Sequence, residues 1–119
     1  MEKLAQKYVD FQNAIGGAND NLKDMIDSLF SPHFKMIVNG HMVVSSKSNL
    51  APQLQRMLTH FGKRELNIQN IISCADKEQC VVRYFLKIEN MGQFDVMAIL
   101  KSKTGRQIDE IDEIYYKIN

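Results

Sequence analysis

The residues best suited to chemistry crowd toward the end of the 119-residue chain, where Asp109, Glu110, Asp112 and Glu113 are interleaved with Ile108, Ile111 and Ile114. A carboxylate drawn into an apolar interior by such interleaving loses hydration, its pKa rises, and it becomes a candidate general acid or base. A β-strand turns successive side chains to opposite faces, so it cannot bring all three isoleucines to one side. Two registers follow: Glu110 and Asp112 face inward or, after a one-residue change in the preceding turn, Asp109 and Glu113 do. The acids have a solvated reading as well, since charge near a sheet edge discourages edge pairing and Arg56, Lys63, Arg64 and Arg83 offer partners.

Other chemistry-bearing residues stand alone. His41 follows the Asn39-Gly40 pair, where an imidazole of near-neutral pKa suits proton transfer at a pocket mouth or sits as an exposed hairpin histidine. His33, His41 and His60 are too scattered for a shared ion, and no metal site is expected. Tyr84, in the middle of an alternating segment, either donates to a ligand or fills the core. Cys74 and Cys80 lack the CxxC spacing of a redox or zinc site and are too few for a disulfide framework, so a reducing, cytoplasmic setting is expected. The chain has no nucleophile elbow, P-loop or dinucleotide fingerprint, and no cofactor is expected.

Bulk properties exclude whole classes of partner. Fifteen basic against 14 acidic residues give a net charge of +1, which provides no field to recruit nucleic acid or an anionic membrane. The first residues turn polar at Gln6 and Lys7, too soon for the apolar core of a signal peptide. No apolar run reaches membrane-spanning length.

The elements that must position these groups follow from periodicity. Leu4, Tyr8, Phe11 and Ile15 predict an amphipathic helix over 2–15, stopped by Gly16-Gly17. Asn19, Asp20 and Asn21 offer caps for a second helix with Leu22, Met25, Ile26, Leu29 and Phe30 on one stripe, ended by Pro32. Residues 34–38 and 41–44 predict a hairpin about Asn39-Gly40. A third helix, capped by Ser48 and closed by Gly62, buries Leu50, Leu54, Met57, Leu58 and Phe61. From Glu65 onward, alternating segments predict four antiparallel strands. Leu66, Ile68, Ile72 and Cys74 share the concave face with Cys80, Val82, Tyr84, Leu86 and Ile88. The whole describes one α+β domain over 1–119: three N-terminal helices packed on a curved antiparallel sheet, a cone of the cystatin-like roll type.

This order, with QKYVDFQNA in the first helix, DMIDSLF in the second and TGRQIDEIDEIYY at the end, resembles the nuclear transport factor 2-like superfamily, and its SnoaL-like members in particular. The resemblance implies an apolar cone with Ile108, Ile114 and Tyr116 pointing in, which would carry Glu110 and Asp112 inward, and it places Tyr8 where ketosteroid isomerase carries an oxyanion tyrosine. The base and second oxyanion donor of that enzyme fall near Ile37 or Val38 and near Met97 or Ala98, aliphatic groups that cannot exchange a proton. The expectation is a small-ligand-binding protein, its pocket built from Tyr8, His41, Tyr84, Glu110 and Asp112, that binds a small apolar molecule. Cofactor-independent acid-base isomerisation, dehydration or hydrolysis is the matching reaction class. The alternative is a non-enzymatic dimerisation or adaptor domain with a filled cone. Alternation also leaves Ile71, Val81, Phe85, Met97 and Ile99 on the convex face, where no helix remains to cover them, so a homodimer is expected.

Overall fold

The computed structural model describes residues 2–15, 22–73 and 78–118. Three helices pack on one six-stranded sheet: α1 (Glu2–Ala14), α2 (Leu22–Leu29), β1 (Phe30–Val38), β2 (His41–Val44), α3 (Leu50–Phe61), β3 (Arg64–Ser73), β4 (Gln79–Ile88), β5 (Gly92–Lys101) and β6 (Ile108–Lys117). The strand order is β2-β1-β6-β5-β4-β3. All pairings are antiparallel except β1 with β6, a long-range parallel pair that local patterning does not announce. The proposed stop at Gly16-Gly17, the caps at Asn19 to Asn21, and Cys74 lie outside the described residues.

The apolar stripe of α1 buries Leu4, Ala5, Tyr8, Val9 and Phe11, and with them the polar Gln12. Asn13 fixes this helix against the sheet: its amide donates to the Leu66 carbonyl at 3.1 Å and accepts from the Leu66 N–H at 2.7 Å. The second helix stops at Leu29, and Phe30 begins β1 instead of extending the helical stripe. Pro32 then sits where the β1–β6 ladder shifts register, between Phe30 and Lys35, as expected of a residue with no N–H to give to a ladder.

The Asn39-Gly40 turn forms as its sequence requires, with φ of 49° and 81°. Ser48 falls in a short 3-10 turn ahead of α3 and makes no cap; Pro52 lies in the first turn of α3, where its missing N–H costs nothing. Gly62 ends α3 at φ 85°, and a Cβ there would stand 2.7 Å from that of Glu89. Only glycine fits, so the chain can drop directly into Arg64 at the start of β3.

Alternation holds along β4 and β5 but breaks at two places. In β3 the register shifts between Ile68 and Asn70, after which Ile71 opposes Val82 and Ile72 opposes Val81. Ile71 therefore packs inward against the core, contrary to its expected place on the convex face, and Ile72 takes that place, 57% exposed. In β6, Ile108 and Ile111 are both buried although three residues apart, and from Ile111 onward Glu113 and Tyr115 follow on the inner face.

Candidate functional site

At the centre of the cone lies Glu113, fully buried. Its position comes from β6, which pairs Glu113 with Ala98 on one side and with Val38 on the other. Tyr84 on β4 donates to one carboxylate oxygen, and Tyr8 on α1 donates to the other at 3.4 Å. Tyr8 in turn accepts from the Gln12 amide at 2.9 Å, one helical turn away, and the Gln12 carbonyl oxygen accepts from Arg64 Nη1 at 2.9 Å. The result is a directional chain, Arg64 to Gln12 to Tyr8 to Glu113, in which each donor points toward the carboxylate. Tyr115, two residues beyond Glu113 on the same face, makes hydrogen-bond contact with Arg64 and Tyr84.

The electrostatics follow from this enclosure. Burial pushes the Glu113 carboxyl above its usual range, although hydrogen bonds from Tyr84 and Tyr8 and the nearby Arg64 charge favour the ionised form. The phenols of Tyr8 and Tyr84 are pushed well above theirs by burial and by the adjacent Glu113. Tyr115 moves the same way for the same two reasons. All three hydroxyls stay protonated at neutral pH and act as donors, while the Glu113 carboxyl holds its proton to higher pH than an exposed glutamate does. An ionised carboxylate so placed would cost several kcal/mol without such donors.

A cavity of about 190 Å³ opens beside this network, between α3, β1 and β2. Met36, Val44, Leu50 and Leu54 form its apolar depth, and the partly exposed Phe61 lies on the side nearest solvent. Gln12, Arg64 and Tyr115 face it from the polar end. Tyr8, Tyr84 and Glu113 do not line it; they stand behind these three. A larger open groove of about 500 Å³, lined by Lys23, Asp27 and Lys47 among others, lies at the surface away from the tyrosines.

The structure thus brings together two of the expected pocket residues, Tyr8 and Tyr84, and separates three. His41 is exposed at the start of β2, paired with Val38. Glu110 faces out and bonds Lys101 at 3.0 Å and Lys35 at 3.3 Å; these two cations outweigh burial and hold its carboxyl below the usual range. Asp112 pairs with Ile99 on the outer side of the sheet. Neither expected register is adopted whole: Glu113 turns inward, but Asp109 stays near the surface and accepts from the Lys103 N–H at 2.8 Å, because alternation breaks between Ile108 and Ile111. Ile114 and Tyr116, expected inside, are exposed.

Gln12 and Arg64 were not singled out as site residues by sequence. A signal existed for Gln12: it lies on the Leu4, Tyr8, Phe11, Ile15 stripe, a polar residue where the helix must be buried. Among the described residues, no cluster of His, Cys, Asp and Glu could hold a metal ion. Nor is any helix among them long and apolar enough to cross a membrane.

No protein-family model and no curated protein matches the chain. Solved structures do. An NTF2-like protein from Exiguobacterium sp. 255-15 superposes with a TM-score of 0.78 at 14% identity, over 97% of this chain and 99% of that one. A putative SnoaL-like polyketide cyclase from Jannaschia sp. CCS1 gives 0.73 at 14% identity, over 96% and 85%. A protein with a ketosteroid isomerase-like fold from Catenulispora acidiphila, solved in complex with trimethylamine, gives 0.76 at 11% identity, over 98% and 86%. The chain has the NTF2-like fold, an α+β cone. At these identities the likeness establishes the fold alone.

Proposed function

We propose that the protein binds a compact, mostly apolar molecule bearing an oxygen function in the cavity of about 190 Å³, and that proton transfer to or from this molecule runs through the hydroxyls of Tyr115 and Tyr84 with Glu113 as the buried proton reservoir and Arg64 as a fixed hydrogen-bond donor. The observation that carries the reading is the junction itself. Of the four polar side chains that line an otherwise apolar cavity, Gln53 accepts from Arg56, and Gln12, Arg64 and Tyr115 are each bonded into a buried carboxylate–tyrosine network. Apolar pockets with a few convergent polar groups and a perturbed carboxyl nearby are the usual setting for ligand binding and acid-base chemistry. Isomerisation, dehydration or hydrolysis without a cofactor suits this arrangement. Because Glu113 stands behind the lining, the carboxylate acts through the phenols and not on the ligand itself. Native mass spectrometry before and after denaturation tests the binding reading. A co-purified molecule lost on denaturation is expected, and a Leu54→Trp variant, which fills the cavity, should lack it; equal retention by the variant would place the ligand elsewhere.

A second reading concerns assembly and is compatible with the first. Val81, Phe85, Met97 and Ile99, joined by Ile72 and Ile114, form an apolar band across the outer face of β3 to β6. Within the band Arg83 bonds Asp95 at 3.0 Å and lies over the Phe85 ring at 5.6 Å. A face that carries its own cation and anion is self-complementary: a two-fold axis can set Arg83 of one copy near Asp95 of the other while burying the band against itself. We infer that this face pairs two copies into a homodimer.

A further inference from the structure

Arg64 is the charged residue of the cavity lining, and among the described residues its guanidinium hydrogen-bonds only neutral groups. Nη1 donates to the Gln12 carbonyl oxygen at 2.9 Å, Nη2 lies 3.9 Å from the Met57 sulfur, and the Tyr115 hydroxyl completes the set. None of the ion pairs among the described residues includes Arg64. This is an unusual way to treat the side chain whose planar fork best matches a carboxylate. A thioether is a weak acceptor, and a flexible one. Met57 therefore holds the position that a stronger acceptor entering the cavity would take.

Resting on the small-ligand reading above, we propose that the cavity binds a compact apolar monocarboxylic acid, its carboxylate received by Arg64 Nη2 and the Tyr115 hydroxyl as Met57 swings aside. Each part of the site selects one part of this molecule. The cation and phenol require an anionic oxygen pair. Met36, Val44, Leu50 and Leu54 require an apolar body and disfavour an inorganic anion, which would leave its remaining oxygens facing methyl groups. The volume sets the size: about 190 Å³ is the share of roughly six liquid waters, and an apolar cavity of about 150 Å³ already accommodates benzene. A single ring or a short branched chain fits, and a steroid-sized skeleton does not.

Calorimetry on the full chain with four probes of matched shape tests the proposal: benzoate and cyclohexanecarboxylate against benzamide and benzyl alcohol. The two carboxylates should bind tighter than the two neutral probes by on the order of 10-fold to 100-fold, the range of one or two charge-assisted hydrogen bonds. In Arg64→Gln that preference should vanish while the weak binding of the neutral probes persists. If Arg64→Gln does not fold, the preference of the wild-type protein decides alone, and Met57→Leu, which keeps the apolar volume and removes only the sulfur, should retain it. Neutral probes that bind as tightly as the carboxylates would overturn the carboxylate assignment and leave the small-ligand reading standing. Binding of none of the four would overturn both.

Discussion

Glu113 and Ile114 are neighbours in the chain and opposites in environment: the carboxylate is 0% exposed and the isoleucine 61%. The same inversion spreads across the central strands. Tyr84 and Glu113 place polar atoms inside the cone, whereas Phe85, Met97 and Ile114 place apolar side chains outside it. An ordinary sheet face would do the reverse, since burial of a charge costs several kcal/mol and exposed apolar area gains nothing. A departure in one direction could be local accident. Departures in both directions, on alternate residues of the same strands, are what the two proposals require: an inner surface for an oxygen-bearing ligand and an outer one for another copy.

The comparison breaks most sharply on the outer face. Phe85→Glu should convert a homodimer at micromolar concentration into a monomer, because each copy would bury an unpaired carboxylate and the two-fold axis doubles the penalty. Sedimentation velocity reads the change. A wild type that sediments as a monomer sinks the inference, and a dimer indifferent to the substitution moves the interface to another face.

On the inner face the matching change is Tyr84→Phe. It deletes a hydroxyl that donates to a carboxylate with no route to solvent, and the loss should be about 1–3 kcal/mol of stability in urea denaturation. A loss near zero would mean that Glu113 is neutral and indifferent to its partners.

Glu113 also marks the boundary of what was legible. The helices, the Asn39-Gly40 turn and the inward rows of β4 and β5 were readable because each depends on local periodicity or local turn geometry. The inner carboxylate was not, because it depends on where alternation fails. Ile108 and Ile111 are both buried across the stretch where the β1–β6 ladder shifts register opposite Pro32, a pairing between residues some eighty positions apart in sequence. The exchange of Ile71 for Ile72 on the outer face has the same cause at the irregularity between Ile68 and Asn70. Arg64 looked like a surface charge until Gly62 turned the chain end of α3 toward the cavity.

The pH dependence of stability separates Glu113 from the other acids. Its carboxyl is raised above the unfolded value of about 4.3. Below that pH it is protonated in both states and its burial is unopposed. As pH rises past it, the unfolded chain releases the proton first, so the native state holds more protons and stability falls until the folded group also ionises. Tyr8, Tyr84 and Tyr115, all raised above their usual range, keep their protons throughout this range, and the Arg64 charge lies nearby. Denaturation of Glu113→Gln should therefore show a flatter decline between mildly acidic and neutral pH than the wild type. Superimposable slopes would remove Glu113 as the source.

The smallest effect tests what keeps the two faces from exchanging. A slip of β6 by one residue would send Glu113 out and Ile114 in, and Asn39 opposes it from the tip of the neighbouring strand pair. Its N–H donates to the Glu113 carbonyl at 2.9 Å, and its side-chain oxygen accepts from the Tyr115 N–H at 2.9 Å. One residue thus grips β6 on both sides of Ile114 while holding a φ of 49° that the turn demands. Two substitutions divide these duties. Asn39→Gly keeps the turn accessible and loses only the side-chain bond, for an expected cost of about 0.5–1.5 kcal/mol. Asn39→Ala loses the bond and also places a Cβ in left-handed backbone, for roughly 1–2 kcal/mol more. Solvent exposure of Tyr115, read by fluorescence quenching with acrylamide against a Tyr115→Phe control, should rise in both variants if Asn39 holds the register. Stability losses of the expected size with no change in Tyr115 exposure would assign Asn39 to the turn alone, and the partition of inner from outer face would then rest on the packing of Ile111 and Glu113 themselves.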